Sequence, residues 1–238
     1  MSVVTADPFL HVRVTDFLSE DECRHIAHIL TRDESKILNL SNPQNEETGY
    51  TGLTAQYLVY NLLRHPDIRP LNIPDRIFEL PQFKDSNELG IQAWGNILYQ
   101  GQGLPTHHHG TVGYFPTDLI EEYKDQLTTE EYEYEIDRVD PQRDELQNFY
   151  ALNLFIQGEQ PSYTHYRNEP IPNIHGELHI VGHQVEHGVK NNIYRTPRIS
   201  MAMDVYLNAD HHKEDVQYNQ GESSTRRFLY FKRKQSDV

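Results

Sequence analysis

The sequence is short of cysteine, of positive charge and of long apolar stretches, and each shortage excludes a class of protein. Its one cysteine, Cys23, leaves no intrachain disulfide and no cysteine-based metal site. Acidic residues outnumber basic ones by 36 to 21, and the formal net charge of −15 argues against nucleic acid or an anionic membrane as the partner. No apolar run approaches the roughly 18 residues of a membrane-spanning helix, and no secretory pattern opens the chain, so we expect a soluble cytoplasmic protein.

The length of 238 residues suits one large core, so we expect a single domain over residues 1–238. Residues 1–90 are expected to be mainly helical after a first strand-like alternation. Ser19 is followed three residues later by Glu22, the pattern of a capping box, and this pair predicts the start of a helix. The spacing of apolar side chains predicts a second helix over residues 51–64.

Beyond residue 90 the pattern changes to short β segments, which predicts a mainly β (α+β) protein with the N-terminal helices packed on an antiparallel β core, residues 91–207. Strands are predicted at Ile91–Tyr99, Phe149–Gln157, Glu177–Val181, Ile199–Leu207 and Arg227–Lys232. Residues 117–147 are strongly acidic and are interpreted as a solvated insertion or as a lid over a pocket. A C-terminal strand and tail, residues 208–238, complete the chain.

The chain has 14 histidines, so position rather than number must identify a site. Three of them are adjacent, His107, His108 and His109, and His187 lies 80 residues after the first. Residues two apart in extended chain point to the same side, so one short segment can offer two ligands to a metal. Neutral imidazole suits ferrous iron, and mononuclear oxygenases hold that ion with three protein ligands and three open positions. We therefore expect the two clusters to meet.

Several motifs of the chain resemble the iron(II)/2-oxoglutarate-dependent oxygenase superfamily, in particular its prolyl-4-hydroxylase-like and putative phage and bacterial branches. The motifs are Trp94-Gly-Asn96-Ile-Leu-Tyr99, Gly103, His107-His-His109, Gly176-Glu-Leu-His-Ile, His187-Gly-Val and Arg198-Ile-Ser200-Met. The resemblance covers roughly residues 91–207. It implies a double-stranded β-helix, a jelly-roll or cupin-like core preceded by helices.

The resemblance also implies roles for residues around the distal histidine. It makes His187 an iron ligand, Arg198 the partner of the far carboxylate of 2-oxoglutarate through a bidentate pair, and Ser200 an added hydrogen bond to that carboxylate. Asn96 and Tyr99, on the strand before the histidine cluster, are further candidates for contact with the co-substrate. Arg195 is the alternative to Arg198.

One feature departs from the family pattern, which has a carboxylate two residues after the first histidine. In one interpretation His107 and His109 both bind the metal and make an all-histidine site with His187. In a second, His108 binds and Gly110 stands at the carboxylate position, as in the halogenases of this superfamily, where the gap admits chloride.

A carboxylate from elsewhere is a third source for the missing ligand. The candidates are Glu186 and Asp204, although the alternation of the last long strand favours an outward direction for Asp204. His175 and His179 are expected to alternate along a strand near the mouth of the site.

The resulting hypothesis is a dioxygenase that uses iron(II), 2-oxoglutarate and O2 to hydroxylate an unactivated C–H bond of a small-molecule or peptidyl substrate. Three alternatives remain beside it. The first is a 2-oxoglutarate-dependent halogenase, and the second is a three-histidine cupin-type dioxygenase that needs no 2-oxoglutarate. The third is a non-catalytic β-sandwich binding module, which predicts no iron uptake and no pocket between the two clusters.

Overall fold

A computed structural model describes residues 2–7, 11–40, 52–57, 59–109, 149–182, 185–207 and 228–234. The helices among these residues are α1 (Glu20–Leu38) and α2 (Ile73–Phe78), with 3-10 turns at Gly52–Gln56, Leu62–Arg64 and Arg69–Leu71. The acidic insertion and most of the tail after residue 207 lie outside the described residues, so the interpretations placed on them stay predictions.

Two antiparallel sheets account for the strands. The strands are β1 (Ser2–Asp7), β2 (His11–Thr15), β3 (Glu88–Leu98), β4 (Leu104–His107), β5 (Phe149–Gln157), β6 (Tyr163–Tyr166), β7 (Glu169–Pro172), β8 (Leu178–Gly182), β9 (His187–Val189), β10 (Arg198–Leu207) and β11 (Leu229–Lys232). The major sheet has the order β1-β2-β8-β5-β10-β3-β11, and the minor sheet has the order β4-β9-β6-β7. The mainly β fold class, with a jelly-roll core, is confirmed.

Helix α1 begins as the sequence predicts. The Ser19 side chain accepts a hydrogen bond from the Glu22 backbone N–H, and the Glu22 carboxylate accepts one from the Ser19 backbone N–H at 2.8 Å. The buried face of the helix packs against the major sheet, where a Cβ on Gly95 would stand 2.4 Å from Cδ2 of Leu30. Cys23 is buried on this face as a small apolar side chain.

The predicted second helix over residues 51–64 is wrong. Within that range the structure has two 3-10 turns, because polar side chains take over the backbone groups that a continuous helix needs. Gln92 donates to the Tyr57 carbonyl at 2.5 Å, and Asn61, in extended conformation, accepts from the Leu63 N–H and donates to the Ile91 carbonyl. The N-terminal part is also less helical than expected, since β1 and β2 form an edge of the major sheet.

Strand β10 lies near the middle of the major sheet and divides its residues between two faces. Odd-numbered positions such as Met201 and Met203 join the apolar core under α1 and α2. Even-numbered positions face the minor sheet, as shown by Arg198, which hydrogen-bonds Thr164 of β6. A second, small apolar cluster of Ala151, Tyr166, Val181 and Val185 fills the space between the two sheets. The site described next lies in that space.

Candidate metal centre

Three imidazoles converge where the minor sheet faces β10. His107 and His187 are directly paired across β4 and β9, and His109 follows β4 by two residues. One ring nitrogen from each of the three lies within 4.8 Å of the others. Nε2 of His109 and Nε2 of His187 lie 3.1 Å apart. The structure thus brings the two sequence clusters together.

The opposite nitrogen of each ring already has an acceptor. Nδ1 of His107 lies 2.8 Å from the Pro105 carbonyl, and Nδ1 of His187 lies 2.8 Å from the Val185 carbonyl. Nδ1 of His109 lies 2.5 Å from a carboxylate oxygen of Asp204. Because these oxygens can only accept, each Nδ1 carries the hydrogen and each Nε2 carries none. All three imidazoles are therefore in the tautomer that could bind a metal ion through Nε2.

Electrostatics hold His107 and His187 in the neutral form that a metal requires. Burial, followed by the neighbouring His109, lowers the pKa of His107 to about 4. Burial, followed by the neighbouring His109 and His107, lowers the pKa of His187 well below its ordinary value. Two bare nitrogens 3.1 Å apart repel each other unless a cation lies between them. Adjacent octahedral positions at bonds of about 2.1 Å would separate such nitrogens by about 3.0 Å, so the rings fit iron(II).

Asp204 faces the site, and the expectation of an outward side chain is wrong. Asp204 is 3% exposed and lies on the inward side of β10, together with Arg198 and Ser200. Trp94 of β3, which pairs with Ala202 of β10, stacks on the His109 ring with centroids 5.8 Å apart. His109 is therefore held at its edge by a carboxylate and on one face by an indole.

Arg198 forms a second feature of the space between the two sheets, where it contacts Thr164 of β6. It is 4% exposed, and burial lowers the pKa of its guanidinium to about 10. Its terminal nitrogens donate to Ser200 Oγ at 3.3 Å and to Thr164 Oγ1 at 3.1 Å, while Nε has no partner among the described residues. No carboxylate in the described part of the chain pairs with it. A buried cation without a counter-ion is costly, so an anion bound beside Arg198 would stabilise it.

A chain of hydrogen bonds lines the wall between these two features. The Tyr166 hydroxyl lies 3.1 Å from Nδ1 of His179, whose Nε2 lies 3.0 Å from Glu177 Oε1, and Arg13 donates to the same oxygen. Burial raises the pKa of Glu177, but the hydrogen bonds from His179 and Arg13 outweigh it and hold that pKa below its ordinary value. Burial lowers the pKa of His179 and raises that of Tyr166. The tyrosine proton is thus directed at His179.

Similarity to known proteins lies in the fold. No family model matches the sequence. No curated protein matches it significantly. Among solved structures, the epimerase SnoN in complex with Fe3+, α-ketoglutarate and nogalamycin RO matches at 12% identity over 83% of this chain and 78% of that one, with a TM-score of 0.51. A second SnoN structure, described as a non-heme α-ketoglutarate-dependent epimerase from nogalamycin biosynthesis, matches at 11% identity over 83% of this chain and 76% of that one, with a TM-score of 0.50.

EvdMO1 matches at 12% identity over 84% of this chain, with a TM-score of 0.52, and this chain covers 48% of its length. The chain has the fold of the iron- and 2-oxoglutarate-dependent non-heme enzymes. Within the described residues, that fold includes no helix long and apolar enough to cross a membrane.

The other candidate residues take separate places in this 2-oxoglutarate oxygenase fold. Asn96 is buried and donates to Ser200 Oγ at 3.4 Å, so it belongs to the arginine network. Tyr99 does not, because its hydroxyl donates to Glu34 at the surface. His108 and Arg195 are exposed, and His108 stands outside the group of three. Gly110 lies outside the described residues, so the halogenase interpretation stays a prediction.

Sequence reasoning missed two residues of the site, Thr164 and Tyr166, and gave a third, the candidate Asp204, the wrong direction. The inward direction of Asp204 could have been predicted, since it shares the even-numbered parity of Arg198 and Ser200 on one strand. Thr164 and Tyr166 carry no such signal, because β6 is four residues long and its partner strands are distant in sequence. The strand predicted for His175 and His179 holds only His179, while His175 lies in a turn and stacks on Phe155.

Proposed function

We propose that this protein is an iron(II)- and 2-oxoglutarate-dependent dioxygenase that hydroxylates an unactivated C–H bond of a small-molecule or peptidyl substrate. The observation that carries the proposal is a pair of features between the two sheets. Three imidazoles each place one ring nitrogen within 4.8 Å of the other two, and a buried guanidinium has no anionic partner among the described residues. A metal ion would bind the three imidazoles, and a dicarboxylate bound to that metal would pair with the guanidinium of Arg198.

His107, His109 and His187 would hold the iron through Nε2. Their three hydrogen-bonded Nδ1 atoms fix the tautomer in advance, so the rings need no rearrangement to bind. Three protein ligands leave open positions for a co-substrate and for O2. The Fe3+ and α-ketoglutarate in the SnoN complex, on a similar fold, support this cofactor pair.

Arg198 and Ser200 would hold the far carboxylate of 2-oxoglutarate. Ser200 Oγ accepts from Arg198 and from Asn96, so its own hydrogen remains to be donated to an anion. The register supports a short span to the metal site. Thr164, which accepts from Arg198, lies two residues from Tyr166, and Tyr166 pairs with His187. Two residues of strand span about 7 Å, a distance on the scale of a five-carbon dicarboxylate.

When bound, iron and 2-oxoglutarate supply the oxidation: O2, 2-oxoglutarate and a substrate C–H group give succinate, carbon dioxide and a substrate C–OH group. The chain's own contribution is orientation and exclusion of water. Trp94 covers one face of His109, and Tyr57 packs on Trp94 with centroids 5.5 Å apart. Tyr166 covers the His187 side at 5.8 Å. These rings shield the metal-facing nitrogens.

The test is formation of succinate from 2-oxoglutarate, with iron(II) and O2 and without added substrate, since uncoupled turnover needs none. We expect succinate from the wild type and none above background from His187→Ala or Arg198→Ala. Arg195→Ala is the matched control, because Arg195 is exposed and should leave turnover unchanged. Turnover retained in both His187→Ala and Arg198→Ala would refute the assignment.

A three-histidine dioxygenase that uses no 2-oxoglutarate is the second candidate, favoured by one observation. The group of three contains no carboxylate among the described residues. This candidate gives Arg198 no role at the metal. It therefore predicts that 2-oxoglutarate leaves the visible spectrum of the iron(II) or cobalt(II) protein unchanged, in wild type and Arg198→Ala alike. A spectral change that Arg198→Ala abolishes excludes it.

A further inference from the structure

The carboxylate that the first histidine segment lacks has a counterpart on the opposite sheet. Asp204 Oδ1 lies 2.5 Å from Nδ1 of His109, on the edge of the ring away from Nε2. The aspartate therefore stands one imidazole width away from the place of the metal. It is 3% exposed and shares the cavity face with Arg198, whereas an ordinary aspartate is exposed.

We infer that Asp204 is a positioning residue for the metal site, which supplies through His109 the negative charge and the ligand orientation that a directly bound carboxylate would otherwise give. The inference rests on the proposed function. It assigns His109 to an aspartate–histidine–metal arrangement, whereas His107 and His187 are held at Nδ1 by backbone carbonyls.

The charge balance of the cavity explains why one histidine needs an anion. Three neutral imidazoles leave the whole +2 charge of a divalent ion in a buried site, where an uncompensated charge is costly. Glu177, another buried acid, holds Arg13 and His179 through its Oε1. Among the described residues, Asp204 is the carboxylate that forms an ion pair with a ring of the group of three, that of His109. It offsets that charge without occupying a coordination position.

The position of His109 explains why the anion acts on this ring. His107 and His187 are fixed by strand pairing, whereas His109 follows the end of β4 and has no strand partner. Its ring is held by Asp204 at the edge and by Trp94 on the face. Without the aspartate the ring could rotate or present Nδ1, and the ligand set would lose its geometry. Partners of this kind raise metal affinity about 10- to 100-fold.

The first test measures the dissociation constant of the full-length protein for Ni(II) and for Zn(II) by calorimetric titration. Asp204→Asn keeps an oxygen for His109 but loses the charge, and we expect binding about 10- to 100-fold weaker, with Asp204→Ala weaker still. Asp33→Asn is the matched control. Asp33 is also buried, at 5% exposed, and lies 3.0 Å from Nε2 of His65, but it belongs to α1 and does not contact the three histidines. It should leave the constant within about twofold, because it shares no partner with the metal site.

The second test needs no metal. In the metal-free protein with 15N-labelled histidine, the His109 side chain should show the Nδ1–H tautomer with a downfield, hydrogen-bonded proton, assigned by its loss in His109→Ala. Asp204→Ala should convert it to the mixed tautomers of a free ring. An Nε2–H tautomer in the wild type would overturn the inference.

The outcomes separate the two proposals. No metal binding by the folded wild type would overturn the proposed function and the role of Asp204 with it. Wild-type binding with an unchanged constant in Asp204→Asn and Asp204→Ala would overturn the role of Asp204 alone. Circular dichroism of each variant shows that a lost affinity is not a lost fold.

Discussion

His107 and His187 face each other as a cross-strand pair between β4 and β9, with ring centroids 4.5 Å apart. Paired strands fix the separation of facing side chains through the backbone, so two of the three candidate ligands are set by register rather than by loop conformation. The third, His109, depends on side-chain contacts. The group therefore combines two histidines fixed by strand pairing with one held by side chains alone.

Replacement of single histidines should show that His107 and His187 bind the metal and that the adjacent His108 does not. His107→Ala and His187→Ala should each weaken Ni(II) binding by at least about 100-fold, since a three-ligand site loses one of its bonds. His108→Ala should bind within about twofold of wild type, because this exposed side chain lies outside the group. Equilibrium dialysis measures the constants. Loss of binding in His108→Ala with retention in His107→Ala would instead favour the halogenase-like set of His108 and Gly110.

Trp94 should report metal binding directly. It is the single tryptophan of the chain, and it stacks on His109 at an interplanar angle of 25°. A paramagnetic ion bound to His109 lies close enough to quench indole emission, so titration with Ni(II) or Cu(II) should lower the fluorescence and saturate at one equivalent. His109→Ala should lose the saturable phase. A wild-type titration without saturation would contradict the geometry.

The turn before β8 should be the least tolerant glycine position of the fold. Gly176 has a φ of +75°, and a Cβ there would stand 2.2 Å from the Leu18 carbonyl oxygen. Gly101 has a φ of +85° but open space around it. Gly101→Ala should therefore cost only backbone strain, about 1 kcal/mol, and Gly176→Ala at least about 2 kcal/mol more. Urea denaturation gives both values, and equal losses would contradict the close approach.

The Glu22–Arg76 pair should make stability depend on pH in the acid range. The hydrogen bond from Arg76 lowers the pKa of Glu22 to about 2, below its usual 4.5. A lowered folded-state pKa contributes stability above pH 4.5, and this contribution is lost as the pH falls towards 2. Wild type should therefore exceed Glu22→Gln by about 1 kcal/mol near neutral pH, after allowance for solvent screening. The difference should vanish near pH 2 in urea titrations, and a constant difference would contradict it.

The elements predicted correctly from the sequence are those with a strong local pattern. The capping box located α1, and the strands at Phe149–Gln157 and Ile199–Leu207 were predicted to within one residue. Asp204 was misread because both faces of β10 are buried, so its pattern is nearly continuous rather than alternating. The turns within residues 52–64 could not be predicted, since the side chains that interrupt a helix there bond to β3, far along the chain.

Strand β10 also sets the distance between Arg198 and Asp204. The two residues stand six positions apart on one side of a strand paired along both edges, so their Cα atoms are separated by about 20 Å. The inward positions between them hold the small residues Ser200 and Ala202. Moving the arginine to another inward position would change its distance from Asp204 only in steps of two residues, about 7 Å. The backbone therefore fixes the separation of the buried cation and the buried carboxylate in coarse steps, and finer adjustment falls to side-chain conformation.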